Sequence, residues 1–176
     1  MKIVINAGHA PNGKPDPGAV NPKTGTRESD ITCAVAKKVV NLLKKKGHLS
    51  KFVQDDSLWR VCNFANTEDA DIFVSIHCNA FANASANGTE TFHYPTSTRG
   101  KRLAKHIQTE IVNDLDTRDR GVKSNTFYVL KHTNAPAVLV ELAFITNATD
   151  EKLLKTKQDA FANSIVKGIE KYIKGV

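Results

Sequence analysis

The chain has 176 residues, a length typical of one domain and short for two. Hydrophobic residues make up 40% and charged residues 24% of it, an ordinary globular composition, and no apolar run approaches the length of a membrane span. The formal net charge of +7 favours contact with polyanions such as nucleic acids, anionic lipid surfaces or acidic cell-wall polymers, and charge alone does not choose among them.

The N-terminal half begins with an apolar strand over residues 2–6 that leads into His9. A turn-rich loop follows over residues 11–26, and so long an irregular loop in a compact domain is usually functional. Apolar residues at three- and four-residue intervals then predict a helix over residues 29–46, with Glu28 at its N-terminal edge.

The remaining elements follow from the same periodicities. In chain order we predict a strand at 49–53, a helix containing Leu58, Val61 and Ala65, a strand ending at His77, a strand at 89–94, a helix at 97–115, a charged loop at 116–125, strands at 127–130 and 137–141, and a closing helix through Phe161, Ile165, Ile169 and Ile173. Helices alternate with strands throughout, which indicates an α/β domain.

Three of the apolar strands deliver a chemically useful side chain to their ends, namely His9, His77 and Glu141. Catalytic groups gather outside the carboxyl ends of strands in open α/β sheets, so we expect these side chains to converge. Zinc in a hydrolytic site takes three ligands from His, Glu and Asp, which His9, Glu28 and His77 would supply. Glu141 is the spare carboxylate for proton transfer. Cys78 follows His77 on the strand, so it should face away from the site.

The spacing of these residues does not by itself establish a metal site, because no compact pattern such as His-Glu-x-x-His is present. Longer motifs carry more information. They are Ala7-Gly8-His9, Asp16-Pro17-Gly18-Ala19, the isolated Glu28, Ser75-Ile76-His77-Cys78-Asn79-Ala80, Gly88-Thr89-Glu90-Thr91, Arg120-Gly121-Val122-Lys123 and the run from Pro136 to Asn147. Together, in this order, they resemble the successive motifs of the zinc-dependent N-acetylmuramoyl-L-alanine amidases, the Amidase_3 family.

The resemblance implies an amidase catalytic domain over residues 1–176, with a twisted, mostly parallel mixed sheet flanked by helices on both faces. It implies hydrolysis of the amide between the lactyl group of N-acetylmuramic acid and L-alanine of the peptidoglycan stem. The implied cofactor is Zn²⁺ bound by His9, Glu28 and His77, and the implied catalytic base is Glu141. Two departures from the family pattern are small residues in place of Gly, at Ala10 and Ala143.

Plainer interpretations exist for several of these residues. Glu28 would also suit a helix N-terminus as a simple favourable charge, and Glu90 and Glu141 would form a carboxylate pair. Arg120 and Lys123 either grip the anionic stem peptide or are ordinary loop charges. Trp59 is predicted to pack in the core with Leu58 and Val61 in preference to acting as a sugar-stacking platform. His48, His93, His106 and His132 are predicted to hold structural or surface positions; of the four, His132 is the one most expected to line the cleft, without ligating a metal.

Two rival functions remain open from the sequence. One is a different zinc hydrolase, an endopeptidase or carboxypeptidase that cuts within the stem peptide. The other is a basic, non-enzymatic module that binds wall polymer or nucleic acid by charge, although the chain has no recognisable nucleic-acid motif and only 7% aromatic residues. The expected partner is therefore peptidoglycan, without nucleic acid or stable membrane insertion; the sequence does not specify the oligomeric state.

The predicted location follows from the start of the chain and its cysteines. Residues 1–9 contain too short an apolar stretch for a signal peptide, and Cys33, Cys62 and Cys78 form no Cys-x-x-Cys pair. We therefore expect synthesis in a reducing cytoplasm with free thiols and action on the cell wall after release by another route. Phage or prophage lysis is preferred over a mother-cell lytic enzyme or a catalytic domain taken from a longer chain that carries a wall-binding domain.

Overall fold

The computed structural model describes residues 1–175, which form a six-stranded sheet surrounded by helices. The strands are β1 (Lys2–Ala7), β2 (Leu49–Gln54), β3 (Ile72–Asn79), β4 (Thr89–His93), β5 (Asp119–Ser124) and β6 (Ala137–Phe144). The helices are α1 (Glu28–Lys45), α2 (Leu58–Thr67), α3 (Thr98–Leu115), α4 (Tyr128–His132), α5 (Ala148–Thr156) and α6 (Gln158–Lys174).

The sheet has the strand order β2-β1-β3-β6-β4-β5. Neighbouring strands are parallel except for the pair β4 and β6, which is antiparallel. The predicted α/β class with a mixed, mostly parallel sheet is therefore confirmed. The carboxyl ends of β1, β3 and β6 lie side by side at one edge, which is where a parallel sheet collects functional groups.

Two apolar cores cover the two faces of the sheet. Alternate strand residues such as Ile5, Val74 and Val140 pack against α1, α3 and α6. The residues between them, such as Val4 and Phe73, pack against α2 and α4. Because side chains alternate along a strand, His77 and Glu141 belong to the face covered by α2 and α4.

The loop between β1 and α1 folds back over the sheet edge and is held from the other end of the chain. The side-chain amide of Asn21 donates to the Ile145 carbonyl at 2.8 Å and to Glu151 of α5 at 3.0 Å. The hydroxyls of Thr24 and Thr26 also donate to Glu151. The long loop is thus fixed to α5 rather than left free.

Three local predictions differ from the structure. Residues 116–125, predicted as a loop, contain β5. A charged strand at the edge of a sheet has one side open to solvent, so its sequence resembles that of a loop. Residues 127–130 belong to α4 and its N-terminal flank instead of a strand, since a short apolar run is compatible with either structure and here Val129 and Leu130 pack against α2. Helix α5 has no strong apolar periodicity and was not predicted.

Among residues 1–175, no helix is both long and apolar enough to cross a bilayer. Cys33, Cys62 and Cys78 are all free thiols, as expected.

Candidate metal centre

Three side chains predicted as metal ligands meet at the carboxyl edge of the sheet. His9 follows β1, Glu28 is the first residue of α1, and His77 lies near the end of β3. One donor atom from each lies within 4.8 Å of the other two. The strand order brings β1 next to β3, which accounts for the proximity of two histidines 68 positions apart in the sequence.

Glu28 is the buried centre of this group. Its Oε2 lies 3.0 Å from Nε2 of His9, and its Oε1 lies 2.9 Å from Nδ1 of His77. The backbone N–H groups of Ala19 and Cys78 donate to the same two oxygens at 2.8 and 2.9 Å. Burial by itself raises the pKa of Glu28, but the hydrogen bonds from His77 and His9 outweigh it and hold the pKa well below its usual range. Glu28 is therefore an anion at neutral pH.

His9 is held between two carboxylates. Its Nδ1 lies 2.7 Å from Oδ2 of Asp16, on the side of the ring opposite Glu28. Burial lowers the pKa of His9, but Glu28 and Asp16 raise it more, to about 9. His9 also has a left-handed backbone with φ of 69°, which is uncommon outside glycine and directs the chain from β1 into the loop.

Two glycines make room for the histidine rings. A Cβ on Gly8 would lie 2.3 Å from Cε1 of His77, and one on Gly18 would lie 2.4 Å from Cδ2 of His9. Gly18 also has a φ of 68°, a conformation that favours glycine. No side chain fits at either position unless the rings move.

Glu141 lies beside the three donors on β6. It is the direct register partner of His77 on β3, and a register shift on β3 follows immediately after His77. Its Oε2 is buried and has no hydrogen-bond partner among residues 1–175. Burial raises the pKa of Glu141 to about 7, helped by the charges of Glu28 and Glu90 and opposed by His77 and His9. A buried carboxylate without a partner is costly unless function uses it.

Glu90 is the register partner of Glu141 on the other side, on β4. It forms ion pairs with Arg120 at 2.8 Å and with Lys123 at 2.5 Å, and it accepts a hydrogen bond from the Asn79 amide at 2.7 Å. The two cations therefore bind a carboxylate of this chain, which supports a structural role for Arg120 and Lys123. The two neighbouring glutamates therefore differ in their contacts: the Glu90 carboxylate has two cationic partners, whereas Oε2 of Glu141 has no hydrogen-bond partner among residues 1–175.

A cleft of about 530 Å³ opens over the centre, within the range of small-molecule sites. Its floor is the carboxyl edge of the sheet, and its walls come from the loop before α1 and from the ends of α2 and α4. The lining includes Asn6, His9, Asp16, Glu28, Leu58, His77, Asn79, Tyr128 and Glu141.

The structure separates the other candidates from this centre. The Cys78 side chain packs in the opposite core, as predicted, whereas His132 stacks on Tyr128 and is not in the cleft lining. The prediction that Trp59 packs in the core is wrong, because its side chain is 61% exposed. Sequence reasoning gave no role to Asp16, although it belongs to one of the motifs that signalled the site.

The residues present fit a zinc ion by their chemistry. Two imidazoles and one carboxylate are the donor set of many hydrolytic zinc sites, and Asp16 supplies the carboxylate that commonly orients a ligating histidine. The donors are also fixed before any metal binds, because backbone N–H groups hold both oxygens of Glu28.

Comparison with known proteins gives consistent matches. The profile of the Amidase_3 family, described as N-acetylmuramoyl-L-alanine amidase, matches residues 3–171. The chain is 40% identical over 178 residues to the N-acetylmuramoyl-L-alanine amidase LytC of Bacillus subtilis (strain 168). That match covers 97% of this chain and 35% of LytC, so the chain spans about a third of this relative's length.

Solved structures match over nearly the whole chain. The N-acetylmuramoyl-L-alanine amidase from Clostridium difficile 630 is 35% identical with a TM-score of 0.89, and the match covers 98% of this chain and 96% of that one. AmiC2 of Nostoc punctiforme, also an N-acetylmuramoyl-L-alanine amidase, is 30% identical with a TM-score of 0.91, covering 99% and 97%.

Proposed function

The chain belongs to the Amidase_3 family of N-acetylmuramoyl-L-alanine amidases, and from this we propose that it cleaves the amide between the lactyl group of N-acetylmuramic acid and L-alanine of the peptidoglycan stem. His9, Glu28 and His77 hold zinc in this proposal, and Glu141 moves the protons. The observation that carries it is the convergence of three zinc-type donor atoms within 4.8 Å, with the unpaired Glu141 directly beside His77.

Glu141 has the position that a proton carrier needs. When bound, zinc supplies a Lewis acid that polarises the scissile carbonyl and lowers the pKa of water to about 7. Glu141 accepts a proton from the attacking water and passes it to the nitrogen of the departing L-alanine. The oxygen of Glu141 that lacks a partner leaves it free to exchange that proton.

The other residues of the centre bind and orient. Asp16 holds the His9 ring by its Nδ1, so that Nε2 points toward Glu28. The N–H groups of Ala19 and Cys78 fix the Glu28 carboxylate. Leu58 and Val61 give the cleft an apolar wall beside the reacting groups.

Identification of the newly formed amino terminus tests this proposal. Purified peptidoglycan is incubated with the protein, with chelator, and with chelator followed by zinc, and the new amino groups are labelled and identified. We expect new L-alanine termini that vanish with chelator and return with zinc. New termini from another stem residue would instead indicate the rival endopeptidase, and no release in any arm would indicate a binding module.

Substitution of Glu141 separates its role from that of the ligands. We expect Glu141→Gln to retain stoichiometric zinc and to lose about 10²- to 10⁴-fold in turnover, because an amide cannot accept the proton. Glu68→Gln, at a partly exposed glutamate paired with Lys51, is the matched control and should leave both unchanged. A Glu141→Gln variant with near-normal turnover would remove Glu141 from this role.

The cell wall is the site of action that the family implies. We propose both the glycan strand and the stem peptide as partners, and release through phage-type lysis stays a prediction. Comparison of wall degradation by protein added from outside with that by protein expressed alone inside bacteria tests the release route. Lysis on internal expression alone would contradict a requirement for a separate membrane lesion.

A further inference from the structure

A second depression adjoins the cleft, on the outer side of α2. Its volume is about 420 Å³, and it lies between α2 and the end of the edge strand β2. Asp55 lines both the cleft and this depression, so the two form one continuous surface. We call it the α2 groove; its lining residues are Val53, Asp55, Trp59, Arg60, Asn63, Phe64 and Thr67.

The first turn of α2 presents two apolar side chains to solvent. Leu58 is 50% exposed and lines the cleft, while Trp59 is 61% exposed and lines the α2 groove. Trp59 is the single tryptophan of the chain. Large aromatic side chains gain much free energy from burial, and adjacent exposed apolar side chains such as Leu58 and Trp59 beside a cleft are typical of ligand-binding surfaces.

Polar groups accompany the indole at regular spacing. Asn63 and Thr67 stand four and eight positions after Trp59, so the three lie along one face of α2, and both are exposed. An aromatic plane flanked by an amide and a hydroxyl suits a ligand that has both apolar C–H faces and hydroxyl groups. Sugar rings have this mixed surface.

The charges of the groove argue against an anionic ligand. Nε of Arg60 lies 2.9 Å from both carboxylate oxygens of Asp55, and its Nη2 lies 3.1 Å from Asp56. Two carboxylates thus surround the one guanidinium, and the groove offers no uncompensated cation to the carboxylates of a stem peptide or to a phosphate polymer. An uncharged chain of N-acetylated hexosamines meets no such penalty.

We propose that the α2 groove binds the glycan strand of peptidoglycan, with Trp59 stacked on the C–H face of a hexosamine ring. Asn63 and Thr67 hydrogen-bond its hydroxyl and acetamido groups. The inference rests on the proposed function, because a glycan whose lactyl amide occupies the cleft continues onto the adjoining surface. Trp59 is then a positioning residue that selects polymeric substrate over short fragments.

The lone tryptophan gives a direct binding assay that does not depend on catalysis. The protein is titrated with N-acetylglucosamine tetramer and hexamer while its tryptophan emission is recorded. We expect a saturable change in emission with both oligosaccharides, and the titrations should give a higher affinity for the hexamer than for the tetramer. A stem peptide without sugar serves as the second probe, and an emission change with the peptide but not with the sugars would overturn the proposal in favour of a peptide site.

Variants then connect binding to substrate preference. Trp59→Ala should weaken hexamer binding, measured by calorimetry, about three- to tenfold, while Trp59→Phe retains part of the affinity. The ratio of the rate on intact sacculi to the rate on a soluble disaccharide muropeptide should fall by a similar factor in Trp59→Ala. Leu49→Ala removes another exposed apolar side chain, 65% exposed at the start of β2, and should change neither quantity.

The outcomes for the two proposals are distinguishable. A wild-type protein that hydrolyses neither substrate would contradict the proposed amidase activity, and the emission titration would still decide whether the groove binds glycan. Two results would overturn the glycan assignment without contradicting the amidase activity. One is an equal loss of rate in Trp59→Ala on intact sacculi and on the soluble disaccharide muropeptide, and the other is no emission change with either oligosaccharide.

Discussion

Asp16 and His9 form the contact that orients the candidate centre: Oδ2 of Asp16 lies 2.7 Å from Nδ1 of His9, while Nε2 of the same ring lies 3.0 Å from Glu28. One imidazole therefore joins a residue of the loop between β1 and α1 to the first residue of α1. The Asp16 carboxylate also accepts the Gly18 N–H at 2.9 Å, which fixes the carboxylate itself. The His9 ring is thereby held in one orientation from both sides.

Removal of the Asp16 charge should weaken metal binding. In Asp16→Asn we expect zinc affinity to fall about 10- to 100-fold, because an amide holds the ring less firmly and makes it less basic. Competition with a chromophoric chelator measures the change. Asp159→Asn, at an exposed aspartate paired with Lys38, is the control and should bind zinc normally. Equal affinity in the two variants would contradict the role of Asp16.

Zinc binding should release a proton from His9. In the metal-free protein the pKa of His9 is raised to about 9, so the ring is protonated at pH 7 with both N–H groups facing carboxylates. A zinc ligand must be neutral, so about one proton should leave per zinc bound at pH 7. Calorimetry in buffers of different ionisation enthalpy measures this number. Zinc affinity should rise with pH and level off above about 9, and a pH-independent affinity would contradict the prediction.

A methyl group on Gly8 should damage the centre more than the fold. Its Cβ would lie 2.3 Å from the His77 ring, so the ring must move. We expect Gly8→Ala to lose zinc affinity and to destabilise the protein by about 1–3 kcal/mol, as overpacking does. Gly25→Ala is the control, because Gly25 has open space around it and a φ of 73°. That variant should lose about 1 kcal/mol of stability from backbone strain with unchanged zinc binding.

The ion pairs of Glu90 should make the free energy of unfolding decrease in acid. Burial raises its pKa, but Lys123 and Arg120 outweigh burial and lower it below the ordinary 4.5. A group with a depressed pKa in the folded state stabilises the protein fully above its unfolded pKa, and this stabilisation is lost as pH falls through the folded pKa. At pH 7 we expect Glu90→Gln to reduce the free energy of unfolding by about 1–3 kcal/mol.

Urea denaturation at several pH values tests this dependence. The difference between wild type and Glu90→Gln should grow slightly from pH 7 to about 5, because protonation of Glu141 relieves its repulsion with Glu90, and should shrink below about 4.5. Glu68→Gln, whose partner Lys51 lies 3.8 Å away at the surface, should show little difference at any pH. A difference that grows as the pH falls below about 4.5 would have the wrong sign for a depressed pKa of Glu90.

The sequence predicted the elements whose periodicity comes from burial. Helices α1, α3 and α6 pack one apolar stripe against the sheet, and β1, β3 and β6 are covered on both faces, so their patterns are unambiguous. The predictions for the residues of β5 and α4 were wrong because burial gives these two elements no clear periodicity. One is a half-open charged edge and the other is one short turn, and tertiary contacts decide both.

The sequence motifs predicted which residues belong to the candidate site, but they did not predict the distances and contacts between those residues. His9, His77 and Glu141 stand at strand ends in the sequence, but their adjacency depends on the strand order β1-β3-β6, which no local pattern encodes. The contact from Asp16 and the exposure of Trp59 depend on how the loop and α2 dock. Short-range patterns therefore identified the chemistry, and the fold supplied the neighbours.

The attachment of the loop to Glu151 has a consequence for biosynthesis. His9, Glu28 and His77 all leave the ribosome early, yet the loop that carries Asp16 is held by Asn21, Thr24 and Thr26 through a carboxylate near the end of the chain. These contacts span more than 120 residues, so they cannot form until α5 has been synthesised. We therefore expect a nascent chain that contains His9, Glu28 and His77 but lacks α5 to bind zinc more weakly than the full chain.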